Sequence, residues 1–280
     1  MILFKTAADI SKFLALKKQA GNKIGFVPTM GALHAGHLSL IEFAKQAGEI
    51  SVCSIFVNPT QFNDKNDFEK YPSTLEKDID EMEKAGCDVV FLPGIKEIYP
   101  NGTENEKPFS FGLLETVLEG KYRPGHFQGV CQVMQRLLSV IGPHHLYLGQ
   151  KDYQQCLVIK KFIDLANIST ETVICPTIRE SDGLAMSSRN LRLNALERSD
   201  AVRISETLSF IKKSVRPGYL EDLKERGRKY LTDEGFRVEY VEIADADTLE
   251  LQENWDGKQP LVALVAAYLH EIRLIDNMLL

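Results

Sequence analysis

Pro28-Thr29-Met30-Gly31-Ala32-Leu33-His34-Ala35-Gly36-His37 joins two stretches of different character. Before it, Lys23-Ile24-Gly25-Phe26-Val27 reads as a short buried strand. After it, Leu38 to Gly48 reads as a helix, with Leu38, Ile41 and Ala44 on one side. The decapeptide is therefore predicted to be a strand-to-helix turn at the carboxyl end of a strand, where open α/β sheets bind ligands. Gly31 and Gly36 let a backbone come close to another group. The helix N-terminus offers N–H groups and a partial positive charge, which suit a phosphate. His34 and His37 are three apart and share a face in the first helical turn. Two imidazoles beside an anion site can donate hydrogen bonds to phosphate oxygens as negative charge builds on them.

The 280 residues suit one large or two modest domains, and a 44% hydrophobic, 26% charged composition is that of an ordinary globular protein. With 33 Lys and Arg against 39 Asp and Glu, the formal net charge is -6. No basic surplus is present to neutralise a phosphate backbone, so no nucleic-acid partner is expected. The five cysteines are odd in number and widely spaced, with no C-x-x-C; they read as buried, reduced thiols of a cytoplasmic protein. Lys5, Asp9 and Lys12 interrupt the opening residues, which do not read as a signal peptide. The longest apolar run, Leu261 to Leu269, is far short of the ~20 residues that cross a bilayer, so no membrane association is expected.

Taken in order, Met1 to Gln19 reads as an opening helix, followed by the strand and turn above. Glu49 to Val57 reads as a second strand, ending in Asn58-Pro59-Thr60-Gln61-Phe62. Polar Asp64 to Tyr71 reads as a mobile flap. Ser73 to Ala85 reads as a helix with a Ser73–Glu76 capping box, and Cys87 to Leu92 as a third strand. Pro93 to Lys107 reads as loop, and Phe109 to Gly120 holds a short helix. After the basic loop Lys121 to Phe127, Gln128 to Ile141 is a strongly amphipathic helix. His145 to Leu148 and Glu171 to Cys175 are two more strands flanking a helix, Tyr153 to Ala166. Strands alternating with helices predict a doubly wound parallel sheet over residues 1–176. From Thr177 the chain changes: a polar segment, helices at Ala195 to Val215 and Tyr219 to Asp233, then strands near Arg237 to Ile243, Leu261 to Tyr268 and Ile272 to Asp276. That predicts a smaller α+β domain over 177–280.

Two further segments carry phosphate chemistry. Gly149-Gln150-Lys151-Asp152 repeats the logic of the first turn, with a cation where the helix dipole disfavours one; a bound phosphate would offset that cost. Met186-Ser187-Ser188-Arg189 offers two hydroxyls and a forked guanidinium, a set suited to a polyphosphate. Gln61 and Gln155 fall at strand-end positions near those turns. Each amide both donates and accepts, so each can read a hydroxyl and a carboxylate of one small substrate.

His34-Ala35-Gly36-His37 resembles the His-x-Gly-His signature of the nucleotidyltransferase superfamily that includes class I aminoacyl-tRNA synthetases. The longer string Pro28 to His37, with Asn58-Pro59-Thr60-Gln61-Phe62, Tyr71-Pro72, Arg123-Pro124-Gly125-His126-Phe127, the Gly-Gln-Lys-Asp turn and Ser188-Arg189-Asn190, resembles the pantothenate synthetase family over most of the chain. The resemblance implies a Rossmann-like nucleotide- and pantoate-binding domain and a small C-terminal domain covering the active site. It implies ATP- and Mg²⁺-dependent joining of D-pantoate to β-alanine through a pantoyl adenylate, with release of AMP and pyrophosphate, in a cytoplasmic homodimer. Carried over position by position, it puts Met30, Gly31, Ala32, Leu33, His34, Ala35, Gly36 and His37 on ATP, with His37 as proton donor and His34 on the phosphates. Gly149, Gln150, Lys151 and Asp152 bind ATP, Asp152 at the ribose; Ile178 lies by the adenine, and Met186, Ser187, Ser188 and Arg189 cover the nucleotide. Gln61 and Gln155 hold pantoate, and Gln61 also faces β-alanine. His34, His37, Lys151 and Arg189 form the catalytic set. Mg²⁺ rides on the nucleotide phosphates, and no protein ligand is assigned to it.

Two other functions are weighed. A transferase adenylylating a phosphorylated alcohol would not need the C-terminal domain. A nucleotide-binding regulator would not require His34, His37, Lys151 and Arg189 together.

Overall fold

The structure is a computed structural model that describes residues 1–62, 68–103 and 108–280. In chain order it runs β1 (Ile2–Phe4), α1 (Ala7–Gln19), β2 (Ile24–Thr29), α2 (Ala35–Gln46), β3 (Ile50–Ile55), α3 (Leu75–Lys84), β4 (Val89–Phe91), α4 (Ile95–Ile98), α5 (Leu118–Tyr122), α6 (His126–Ile141), β5 (His145–Gly149), α7 (Tyr153–Leu165) and β6 (Glu171–Cys175). It continues with α8 (Ala195–Asp200), α9 (Arg203–Ser214), β7 (Gly218–Tyr219), α10 (Glu221–Asp233), β8 (Arg237–Asp245), β9 (Asn254–Trp255), β10 (Leu261–Leu269) and β11 (Ile272–Leu279). The chain divides into two compact units, one of residues 1–111, 123–149 and 158–176, the other of 112–122, 150–157 and 177–280.

The first unit holds a six-stranded sheet in the order β1-β4-β3-β2-β5-β6, every pair parallel. This is the Rossmann-like doubly wound arrangement predicted from the strand–helix alternation. The order reverses between β2 and β5, so the ends of those two strands form the topological switch point, where such sheets bind ligands. The two strands pair only at Gly25–His145 and Phe26–Leu146. Pro28 has no N–H to donate, and the ladder to β5 has stopped before it. On one face Val27, Leu40, Ile41, Ala44, Cys53, Met82, Val90 and Tyr147 make one buried cluster that seats α2 and α3 on the sheet. Gly25 is required by that packing: a Cβ there would lie 2.5 Å from Glu49 Oε2 and 2.9 Å from Ala44 Cβ. The five cysteines are buried and form no disulfide, as expected, and burial pushes the Cys87 and Cys175 thiols up to about 11.

Several local expectations are corrected. Met1 to Gln19 is not one helix: Ile2–Phe4 forms an edge strand against Val89–Phe91, and Thr6 then caps α1 by accepting from Asp9 N. The apolar trio gains more from pairing with an open sheet edge than from a helical turn beyond that cap. The Ser73–Glu76 capping box does not form; Thr74 is the N-cap, and its hydroxyl turns to Asp78 instead, at 3.0 Å. One helical turn, α4, interrupts the expected loop 93–107, of which 104–107 lie outside the described residues. The flap at Asp64 to Tyr71 falls, at 64–67, outside them too.

The second unit is built on the antiparallel sheet β11-β10-β8, with the two-stranded ribbon β7–β9 apart from it. Ile204, Leu208 and Ile211 of α9 and Leu231 of α10 are buried with Val241, Ile243, Ala263 and Val265 of the sheet. The α+β character matches the prediction. The helix expected from Ala195 to Val215 is divided at Ala201 and Val202, where ψ is -24 and -25 and Ile204 N bonds back to Ala201 O. That tightened, 3₁₀-type link separates the two helices while leaving Ala201 fully buried. Among the described residues no helix is long and apolar enough to cross a membrane.

Candidate active site

In the first unit the turn after β2 takes an unusual path. Gly31 and Ala32 both have positive φ, +81 and +50. A Cβ at Gly31 would also meet Asp78 Oδ2 at 3.0 Å, so glycine serves the turn's own closure. The strain at Ala32 is held by hydrogen bonding. The buried Asp78 carboxylate on α3 accepts from Ala32 N at 2.9 Å and Leu33 N at 2.8 Å. His34 is the N-cap of α2, its Nδ1 accepting from Gly36 N at 3.2 Å. The same residue's carbonyl accepts from His37 N at 2.8 Å. The expectation of open helix-terminal amides is therefore corrected for these positions: the N–H groups of Ala32 and Leu33 are taken by Asp78 of α3, and those of Gly36 and His37 by the His34 ring and carbonyl. The His34 and His37 ring centroids lie 4.1 Å apart. With Nδ1 accepting, the neutral His34 ring carries its proton on Nε2, a hydrogen-bond donor.

Gln61 ends a 3₁₀ turn, Pro59–Gln61, after β3. Its Nε2 lies 3.1 Å from Met30 Sδ, so two of the expected site residues meet. The hub behind them is Asn58, 1% exposed, whose Nδ2 donates to Gln61 Oε1 at 3.2 Å and to Gly129 O at 3.1 Å. Its Oδ1 accepts from Tyr99 OH at 2.8 Å. His126 Nδ1 bonds the Gln61 carbonyl at 2.8 Å, while its Nε2 faces Arg123 Nη1 at 3.1 Å. Arginine only donates, so Nε2 accepts and Nδ1 carries the proton to Gln61 O. Helix α6 comes very close here: a Cβ on Gly129 would lie 2.2 Å from Thr60 O and 2.8 Å from Gln61 N. Backbone atoms cannot swing aside as a side chain can. Gly129→Ala is therefore expected to cost about 3 kcal/mol, the upper end for overpacking. It would be read as a lower urea midpoint at unchanged slope; an unmoved midpoint would mean that the Pro59–Gln61 turn gives way freely.

In the second unit Gln150–Asp152 forms a 3₁₀ turn leading into α7, with Lys151 Nζ 3.4 Å from Asp152 Oδ1. Desolvation acts to raise the Asp152 carboxyl. The charges of Lys151 and Arg189 outweigh it and hold the group below its ordinary range. Lys151, Asp152 and Arg189 thus share one electrostatic neighbourhood. Residues 178–186 form a tight hairpin in which Met186 N donates to Ile178 O at 3.0 Å and Arg179 bridges to Ala185, so Ile178 and Met186 lie side by side. Ser187 then caps the 3₁₀ turn Ser188–Arg192 by accepting from Arg189 N. Ser188 is buried. Gln155 is half-buried in the first turn of α7. Its neighbour Gln154 is fully used, accepting from Glu119 N and donating to Leu114 O and Val117 O. Among the described residues no group of three or more His, Cys, Asp or Glu could hold a metal ion.

Asn58, Asp78 and His126 are not among the site residues expected from sequence. A signal exists for Asp78: it falls one helical turn before buried Met82 on the inner face of α3, where a carboxylate needs donors.

The chain is similar to known proteins over its whole length. The family model described as pantoate-beta-alanine ligase matches residues 2–279. The pantothenate synthetase of Bacteroides fragilis is 43% identical over 279 residues, covering 99% of this chain and 98% of that protein. That of Cytophaga hutchinsonii is 43% identical over 283 residues, covering 100% and 99%. The crystal structure of pantothenate synthetase from Thermus thermophilus superposes with a TM-score of 0.90 at 37% identity over 99% of both chains. The pantoate-beta-alanine ligase of Francisella tularensis, complexed with beta-gamma ATP and beta-alanine, gives 0.82 at 38% identity over 100% of this chain and 97% of that one.

Proposed function

We infer the reaction from one premise: the chain belongs to the pantoate-beta-alanine ligase family. It is a ligase that condenses pantoate with β-alanine, using ATP, to give pantothenate, AMP and pyrophosphate. The observation that carries this is the family match over residues 2–279, in a chain that keeps His34 and His37 with their rings 4.1 Å apart.

We propose the following division of work. A carboxylate does not react with an amine at neutral pH, because oxide is a poor leaving group. A pantoate carboxylate oxygen first attacks the α-phosphorus of ATP; the bond to the β-phosphate oxygen breaks and pyrophosphate leaves. The β-alanine nitrogen then attacks the acyl carbon of the pantoyl adenylate, the bond to AMP breaks, and the nitrogen loses its proton. Charge growing on the phosphates in the first step is met by His34 Nε2–H, by His37 as proton donor, and by the Lys151 and Arg189 cations. Met30 to Ala35, with Gly36, Gly149, Gln150 and Asp152, line the nucleotide; Ile178 takes the adenine, and Met186, Ser187 and Ser188 cover it. Gln61 and Gln155 orient pantoate, and Gln61 also serves β-alanine. These roles rest on the family resemblance. The contact of Gln61 with Met30 and the shared neighbourhood of Lys151, Asp152 and Arg189 support them.

Mg²⁺ would arrive on the ATP phosphates and lower their negative charge, in keeping with a hard cation that prefers phosphate oxygens and retained waters to a protein cage. By the same resemblance residues 1–176 serve the nucleotide and pantoate, residues 177–280 supply the Met186–Arg189 loop, and the enzyme works as a cytoplasmic homodimer.

The test is pyrophosphate–ATP exchange with Mg²⁺ and pantoate but no β-alanine. Exchange that depends on pantoate is the expected result. A folded, ATP-binding protein that shows none, yet forms AMP once β-alanine is added, would replace the adenylate with concerted chemistry.

A further inference from the structure

The last strand holds a buried side chain whose bonds are all spent on one catalytic segment. Asn277 on β11 is 2% exposed. Its Nδ2 donates to Gln150 O at 3.0 Å and to Lys151 O at 2.8 Å, and its Oδ1 accepts from Gln150 Nε2 at 3.2 Å. Both amide hydrogens are thus committed to carbonyls of the Gln150–Asp152 turn. The backbone of Asn277 is itself fixed on both sides. Its N–H donates to Asp276 Oδ1 at 2.8 Å, and its carbonyl accepts from Arg179 Nη2 at 3.2 Å. Arg179 grips Asp276 with two bonds, of 2.6 and 3.0 Å, and also donates to Gly183 O. Arg179 belongs to the 178–186 hairpin. One buried frame therefore ties both the Lys151 turn and the hairpin leading to Arg189 to the same strand.

We propose that Asn277 is a positioning residue for adenylate formation, acting through the backbone of Gln150 and Lys151 to fix where the Lys151 ammonium stands. The inference rests on the role given above to Lys151. The need for such a device is physical. Lys151 sits at the start of α7, where the helix dipole opposes a cation, and its 3.4 Å contact with the exposed Asp152 carboxylate is a weak restraint on where the ammonium stands. Two bonds to successive carbonyls fix the peptide planes on either side of the Lys151 Cα, and hence the direction in which its side chain leaves the backbone. A displacement of about 1 Å in a group that stabilises transition-state charge is enough to lower the rate about 100-fold.

The experiment is a double-mutant cycle on the full-length enzyme, read by pantoate-dependent pyrophosphate–ATP exchange. Asn277→Ala is expected to lower exchange about 10- to 100-fold in the parent. In a Lys151→Ala background it should lower it by less than about 3-fold, because the group it positions is already gone. Circular dichroism melts establish that each variant is folded at the assay temperature. If Asn277→Ala does not fold, Asn277→Asp serves in the same cycle. It keeps the size of the side chain and an acceptor for Gln150 Nε2, but has no N–H for the two carbonyls. Equal losses in both backgrounds would make Asn277 a general structural residue and overturn the proposal while leaving Lys151 in place. Exchange at the parent rate in Lys151→Ala alone would remove Lys151 from the mechanism, and the proposal with it.

Discussion

Replacing His37 with alanine is expected to lower pantoate-dependent pyrophosphate–ATP exchange by about 10²–10⁴-fold, the combined scale of a general acid and an oxyanion-type donor. His37 is the third residue of α2, and its backbone N–H is held by His34 O at 2.8 Å, so the loss should be chemical and not conformational. The His34 ring stays in place by capping Gly36 N, a bond the substitution does not touch. Thermal stability should stay near the parent's. The more telling comparison is between half-reactions. Pantoyl adenylate supplied directly should react with β-alanine at close to the parent rate, because pyrophosphate has already left. A loss of equal size in both half-reactions would assign His37 to substrate binding, and near-parental exchange would remove it from the mechanism.

Asp78→Asn is expected to affect both stability and turnover, although no part of α3 is proposed to touch substrate. The Asp78 carboxylate accepts from Ala32 N, Leu33 N and Thr74 Oγ1. Asparagine is nearly the same size but offers one oxygen and one NH₂, so at least one buried backbone N–H would face another donor. Hydrogen bonds to a charged acceptor contribute about 1.5–3 kcal/mol each, and an unsatisfied buried donor costs about as much again. A stability loss of about 3–5 kcal/mol follows. Ala32 is held at positive φ by one of those bonds, so the turn should relax toward an ordinary backbone and carry His34 and His37 with it. Exchange activity per folded molecule should therefore fall well beyond the folded fraction measured by denaturant titration. Full specific activity in the folded fraction would show that the turn keeps its path without the carboxylate.

What can be read from sequence follows from period and punctuation. Alternation of apolar runs with amphipathic helices is enough to give a parallel doubly wound sheet, and the turn of residues 28–37 is legible because a strand, two glycines and a helix leave little choice. Features set by distant partners are hidden. Ile2–Phe4 is only three residues long and becomes a strand because β4 presents an open edge. The amides of the turn look available in the sequence because their acceptor, Asp78, lies 45 and 46 residues further on. Ser73 and Glu76 have the right spacing for a capping box, yet Thr74 answers to Asp78. Gln154 and Gln155 are adjacent and chemically identical; only the tertiary partners of Gln154 show which one is structural. Asn277 carries no local signal, because its bonds reach 126 and 127 residues back along the chain.

The reliance of the turn on Asp78 also dictates when it can form. A chain made from its N-terminus completes β2, the turn and most of α2 well before α3 exists. Until residue 78 is available, Ala32 and Leu33 lack the acceptor that holds their amides, and the nascent segment is free to sample ordinary extended or helical backbone. The turn therefore closes only when α3 docks on the sheet, so newly made chain should hold strand β2 and helix α2 before residues 32 and 33 are fixed in their final path.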